Sequence, residues 1–212
     1  MDDNFFEKIN HRKLLAALVA LSYVFLMLGN GLVSLTHPDE VFYVQTAKEM
    51  VTHNSWLTPL IFDWPHFEKP IFCFWLLALS VKFFGPVPFA ARFWPALFGI
   101  IGVCVTYWLA WMLFRRKRLA FLAGFILSTS FIYLALSRAV LTDMVFSVWV
   151  ALAVALFYWG YTDERRRDTA IVLCAAVCGI AVLTKGALGL FFPAAIIWIF
   201  LLYKRDVGFL ID

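Results

Sequence analysis

Six long runs free of charged side chains divide the chain: Leu14–Leu35, Phe93–Phe114, Leu119–Ser137, Met144–Thr162, Thr169–Thr184 and Gly186–Tyr203. Each approaches the ~17–25 apolar residues that a helix needs to cross a bilayer. A seventh apolar stretch, Ile71–Phe84, is shorter and carries Lys82 near its end. Its length suits an interfacial or re-entrant helix better than a span. The basic residues decide between the two arrangements. Lys8/Arg12/Lys13, Arg115–Arg118, Arg165–Arg167 and Lys204/Arg205 hold 12 of the 18 Lys and Arg residues. All four clusters fall on one side of the membrane if Ile71–Phe84 does not cross, and cytoplasmic loops carry the excess of Lys and Arg. The pattern therefore predicts an all-α membrane protein with about six transmembrane helices and both termini cytoplasmic.

In this arrangement residues 36–88 form one large external loop with juxtamembrane helices. Within it the spacing predicts a helix over Asp39–His53, with Val41, Val44, Ala47 and Val51 on one face and Glu40, Lys48 and Glu49 on the others. His37-Pro38 precedes it as a breaker, and Asp39 stands where a helix starts. Composition agrees: 63% of residues are hydrophobic, 15% are charged and the mean hydropathy is +0.84. Those values exclude a soluble globular domain and a disordered chain, and no nucleic-acid partner is expected. Cys73, Cys104, Cys174 and Cys178 form no metal or disulfide spacing and read as packing residues. No cleavable signal peptide is expected, because Asp2, Asp3 and Glu7 precede a first run that no small-residue cleavage site follows. Residues 1–212 read as one transmembrane module.

The external face and its membrane boundary hold Lys48, Lys69, Lys82, Arg92, Arg138 and Lys185, together with Asp39, Glu40, Glu49, Asp63, Glu68 and Asp143. Several lie at span ends, where a charge is costly and function is the default suspicion. Each also has a plain reading. Asp39 and Glu40 are acids at a helix N-terminus, where the dipole favours them. The segment Asp63–Pro70 is a proline-bounded interfacial anchor, Asp143 a helix cap near Arg138, and Lys185 a snorkelling span end. What raises the chemical reading is convergence. Acids from three separated segments reach one membrane face beside lysines and an arginine. Carboxylates can hold a divalent cation, and basic groups can bind phosphate. Residues alone thus point to a phospholipid-type enzyme or a transporter.

Beyond that, Asp39-Glu40-x-x-Tyr43, Trp56-Leu57-Thr58-Pro59 and Phe67-Glu68-Lys69-Pro70 resemble the dolichyl-phosphate-mannose protein mannosyltransferase superfamily, most nearly the bacterial aminoarabinose transferases. So do Gly85 with Ala91-Arg92-Phe93-Trp94-Pro95-Ala96, the Arg138…Thr142-Asp143 segment and Leu183-Thr184-Lys185-Gly186. The resemblance implies the N-terminal part of a GT-C membrane fold and a glycosyltransferase that takes sugar from a polyprenyl-phosphate donor. It implies a bacterial inner membrane location, with a site facing the periplasm and a lipid, glycan or protein acceptor. The family's first-loop aspartate corresponds to Asp39, its Glu-Lys-Pro element to Glu68 and Lys69, and its second acidic position to Asp143. Phe42 stands where the aminoarabinose transferases tend to carry a basic residue, and His66 where they tend to carry tyrosine. Family members also have about twice as many spans.

On this reading Asp39 is the catalytic base, with Lys69 also catalytic, in an inverting transfer. Tyr43, Arg138 and Lys185 bind the donor phosphate or substrate, and Glu68 and Asp143 hold a divalent metal cation. The partners are the polyprenyl-phosphate sugar donor and membrane lipid. The alternative is a truncated or split non-catalytic relative that needs a second subunit for the missing C-terminal half. A small lipid transporter would need charges deeper in the spans and broken helices in repeated halves, which the pattern lacks.

Overall fold

The computed structural model describes residues 3–35 and 38–210. His37 of the expected breaker lies outside the described residues. Among those residues the chain is almost wholly helical. A short helix α1 (Asp3–Lys8) leads into α2 (His11–Ser22), which continues as a π-helical turn over Tyr23–Met27. Then come α3 (Pro38–Thr52), α4 (Ile71–Phe84), α5 (Pro88–Phe114), α6 (Lys117–Thr129), α7 (Phe131–Arg138), α8 (Thr142–Tyr161), α9 (Arg167–Lys185) and α10 (Leu188–Lys204). The only strands among the described residues, β1 (Leu60–Ile61) and β2 (Trp64–Pro65), form an antiparallel hairpin between α3 and α4, pairing Leu60 with Pro65 and Ile61 with Trp64.

Three helical segments are long and apolar enough to cross a membrane: Pro88–Phe114, Thr142–Tyr161 and Glu164–Lys185. The helices α6 and α7 together make a fourth, bent by 60°. The break falls at Ser130, whose backbone is extended, while Ser128 and Thr129 turn their hydroxyls onto the Phe125 carbonyl and compete with the helix ladder. The last run, α10, has 17 residues, at the lower edge of span length. At 14 residues, α4 is about 21 Å long and falls short of a span, as its sequence predicts.

Two expectations are corrected. The first run, Leu14–Leu35, is helical only as far as Met27. Gly29 takes a left-handed backbone (φ +82°), and the chain beyond it is irregular. The carbonyls that a broken helix leaves open are met by side chains from distant helices. Arg138 donates to Phe25 and Leu28, and Arg92 donates to Asn30, Val33 and Ser34. A count of charge-free residues does not register such a break, because Gly29-Asn30-Gly31, the turn signal that marks it, carries no charge. The second correction concerns α3. Its packed face holds Glu40, Tyr43, Val44, Thr46, Ala47, Glu49 and Met50, while Val41 is exposed. The two acids are buried because polar partners meet them there.

The core of the external region is one cluster joining α3 to α4, in which Tyr43, Val44, Ala47 and Met50 pack on Phe74, Leu77, Ala78 and Val81. Ala91 of α5 and Val140 before α8 close it from the bundle side. The juxtamembrane layer is thus bolted to the end of the bundle where α5 and α8 begin and α9 ends. At the contact between α9 and α10, Gly189 lies against the backbone of Ala181 and Val182, where any side chain would collide.

Candidate functional site

At that end of the bundle lies a cavity of about 520 Å³. Asp39, Phe42 and Tyr43 reach it from the first turns of α3, and Thr142 and Asp143 from the first turn of α8. Lys185 comes from the last turn of α9, and His66, Glu68 and Lys69 from the segment after β2. Helix geometry suits these choices. Acids at the N-termini of α3 and α8, and a lysine at the C-terminus of α9, each complement the local helix dipole. The cavity therefore brings together six of the seven residues that the sequence singles out: Asp39, Tyr43, Glu68, Lys69, Asp143 and Lys185.

Arg138 is the seventh, and it lies elsewhere. Its guanidinium caps the broken end of the first helix, as described above, and is absent from the cavity wall. The donor-phosphate role expected for it is not supported by its position.

Within the cavity Lys185 Nζ lies 2.5 Å from Asp143 Oδ1 and 5.4 Å from the Phe146 ring centroid. The pair is partly exposed, so each charge keeps access to water and to a ligand. The Tyr43 hydroxyl is pushed up to about 12, by burial first and then by the negative charges that surround it, Asp39, Asp143 and Glu68 among them. It stays a neutral hydrogen-bond donor at any physiological pH. His66 is held on both sides: Nδ1 is 3.1 Å from Thr46 Oγ1, and Nε2 is 3.6 Å from Glu68 Oε2. Its ring packs against Phe74.

The residues that position the site are three that sequence reasoning missed. Glu40 is buried and accepts from Arg92 Nε (3.3 Å) and Nη2 (3.0 Å), and also from the backbone N–H of Val140 (3.2 Å). One carboxylate thus ties the helix that carries Asp39 both to α5 and to the segment leading into Asp143. A lone arginine in an apolar stretch was the available signal, since at membrane depth it must find a carboxylate or carbonyls. The third is Glu49. Phe62 and Asp63, at the tip of the hairpin, both adopt left-handed backbones (φ +52° and +65°) and aim their N–H groups at its carboxylate, at 2.9 and 3.2 Å. Gln45 Nε2 donates to it at 2.6 Å. Two successive N–H groups converging in this way make an anion nest. The hairpin runs straight into His66, Glu68 and Lys69, so Glu49 fixes one wall of the cavity.

Burial disfavours the charged form of Glu49, but the hydrogen bonds from Gln45, Phe62 and Asp63, with His53 nearby, outweigh it and hold the carboxyl below its ordinary 4.5. A depressed folded value means that the stabilisation is complete above that ordinary value and is lost as pH falls through the folded one. Amide protection at Phe62 and Asp63, read by hydrogen exchange, is expected to fall on acidification in this window. In Glu49→Ala it is expected to be weak at every pH, at a cost of about 1–3 kcal/mol for the orphaned donors.

A metal centre is not ready-made here. Among the described residues no three His, Cys, Asp or Glu side chains converge on one point. Asp143 is committed to Lys185, and Glu68 is largely exposed beside His66. Glu68 and Asp143, the expected cation ligands, both line the cavity, and a hard cation held by two carboxylates takes its remaining ligands from water or phosphate oxygens.

The family model for dolichyl-phosphate-mannose-protein mannosyltransferase matches residues 12–207. The chain belongs to this family. An undecaprenyl phosphate-alpha-4-amino-4-deoxy-L-arabinose arabinosyl transferase of Photorhabdus laumondii is 32% identical over 205 residues, covering 94% of this chain and 37% of the relative. An uncharacterized protein of Aquifex aeolicus is 33% identical over 167 residues, covering 79% and 33%. In structure the mannosyltransferase-family chain is similar to ArnT of Cupriavidus metallidurans bound to undecaprenyl phosphate, with a TM-score of 0.84, 26% identity and coverage of 94% and 37%. The fold extends to the oligosaccharyltransferase of Archaeoglobus fulgidus, at a TM-score of 0.70 and 20% identity, over 88% and 25%. The chain spans little more than a third of the length of these arabinosyl transferases.

Proposed function

We propose that this chain carries the donor-side half of the active site of a membrane glycosyltransferase that moves a sugar from a polyprenyl phosphate to an acceptor on the external face of a bacterial inner membrane. The observation that carries this reading is the cavity itself. Three carboxylates, two lysines and a neutral tyrosine hydroxyl share one space at the end of an apolar bundle. One of the similar structures named above, ArnT of Cupriavidus metallidurans, is bound to undecaprenyl phosphate.

The chemistry follows from the side chains. The Asp39 carboxylate takes the proton of the acceptor hydroxyl. That oxygen bonds to the anomeric carbon from the face opposite the phosphate, and the bond from that carbon to the phosphate oxygen breaks. The configuration inverts, and the phosphate leaves with the electron pair. Lys69 and Lys185 meet the charge that develops on it, and the Tyr43 hydroxyl donates a hydrogen bond. Asp143 keeps Lys185 aimed into the cavity. Glu68 and Asp143 are the residues that would hold a divalent cation, which would supply positive charge to the leaving phosphate; the steps above use the chain's own groups. The share of its relatives that the chain covers favours a form in which a second subunit or further segment completes the acceptor side.

The test is transfer in proteoliposomes. Undecaprenyl-phosphate sugars are extracted from labelled bacterial membranes and supplied to the chain, alone and with any co-encoded membrane subunit. Movement of label from donor to acceptor, with release of undecaprenyl phosphate, is the expected outcome. Label that stays on the donor in both preparations of folded protein contradicts the reading.

A further inference from the structure

At the opposite end of the bundle, far from the candidate site, a second pocket combines arginines with indoles. Trp108, Trp111, Met112 and Arg115 follow one face of the last two turns of α5. Across from them stand Trp159 and Thr162 at the end of α8, and Arg166 in the turn that leads to α9. They enclose about 130 Å³. Arg166 is held in place from two sides. Its guanidinium carbon lies 5.3 Å from the Trp159 ring centroid, and Nε is 3.0 Å from Asp163 Oδ2. Arg115 sits in a left-handed conformation at the C-cap of α5, just where that helix leaves the apolar layer.

The surroundings give the pocket its sign. Residues 115–118 and 163–168, the two connections at this end, contain seven basic side chains and three acidic ones. Indoles prefer the boundary between headgroups and acyl chains, and basic pockets between spans at that depth suit anionic headgroups. Guanidinium forks match the oxygens of a phosphate, and two of them flank this void. The void has room for a phosphodiester at the level where a bilayer places its own.

We propose that this pocket binds the phosphate of an anionic phospholipid in the leaflet opposite the candidate site, with Arg115 and Arg166 as the anion ligands and Trp159 as the wall. The proposal does not depend on the transfer activity, and its test does not use that activity.

The test is native mass spectrometry of the purified full chain equilibrated with mixed micelles of phosphatidylglycerol, phosphatidylcholine or neither with added inorganic phosphate. The unmutated chain is expected to retain phosphatidylglycerol in preference to phosphatidylcholine, and inorganic phosphate at equal concentration is expected neither to bind nor to displace it. Arg115→Gln combined with Arg166→Gln is expected to weaken phosphatidylglycerol retention roughly thirtyfold. Arg12→Gln with Lys13→Gln removes as much charge at the same boundary, outside the pocket, and is expected to change retention far less. Should the double arginine variant fail to fold, Trp159→Leu keeps both charges and removes the wall, and is expected to weaken retention severalfold. Equal retention of both lipids overturns the proposal. So does retention that is untouched by the pocket variants, or phosphatidylglycerol that inorganic phosphate displaces.

Discussion

Asp39→Asn is expected to leave the chain folded and inserted while lowering sugar transfer by roughly 10²–10⁴-fold, the range for loss of a general base. The substitution preserves size and most of the capping ability at the start of α3. It removes only the basicity of a side chain that stands in the wall of the cavity, one turn from Tyr43. If Asp39 served the helix alone, the cost would be about 0.3–1 kcal/mol of stability, and turnover of the folded protein would be unchanged. Transfer rate and thermal stability, measured on the same preparation, separate the two roles.

Arg92→Met is expected to have the largest effect on folding. It takes the guanidinium away from the buried Glu40 carboxylate and strips the donor from the carbonyls of Asn30, Val33 and Ser34. Breaking one partner of a buried pair costs about 3–5 kcal/mol. Arg92→Met with Glu40→Leu is expected to recover part of this, because the buried carboxylate is gone while the carbonyls and the Val140 N–H lose these partners. Thermal unfolding of the two variants in detergent, beside the unmutated chain, is the measurement. A double variant no more stable than the single one would show that the carbonyls matter more than the charge.

The sequence was informative about position along the membrane and much less so about partners. Charge-free runs and basic clusters were enough to locate the helices, to keep Ile71–Phe84 short of a span and to assign the acids and lysines to one end. That Asp39, Glu68, Lys69, Asp143 and Lys185 would share a cavity was legible because all lie at span ends or in one loop. The break after Met27 and the bend at Ser130 went unread because both lie inside charge-free runs, although Gly29-Asn30-Gly31 and Ser128-Thr129-Ser130 are the local signals that mark them. Partnerships across long separations were equally hidden. Glu40 and Arg92 are 52 residues apart, and Arg138 and Phe25 are 113 apart. Arg138 in particular looks like a free cation at a span end until the broken first helix reveals what its guanidinium serves. Glu49 looks like a solvated helix charge until the left-handed tip of the hairpin meets it.

The central claim is that the cavity between α3, α8 and α9 binds the donor's phosphate. Undecaprenyl phosphate titrated into the chain in nanodiscs, with bound lipid quantified by mass spectrometry, tests it most directly. The account predicts saturable binding that Lys69→Ala and Lys185→Gln each weaken by about 10–100-fold, the worth of a charge-assisted contact, and that Arg138→Gln leaves within a factor of about three among folded molecules. Binding equal in all four proteins, or lost only in Arg138→Gln, would contradict it.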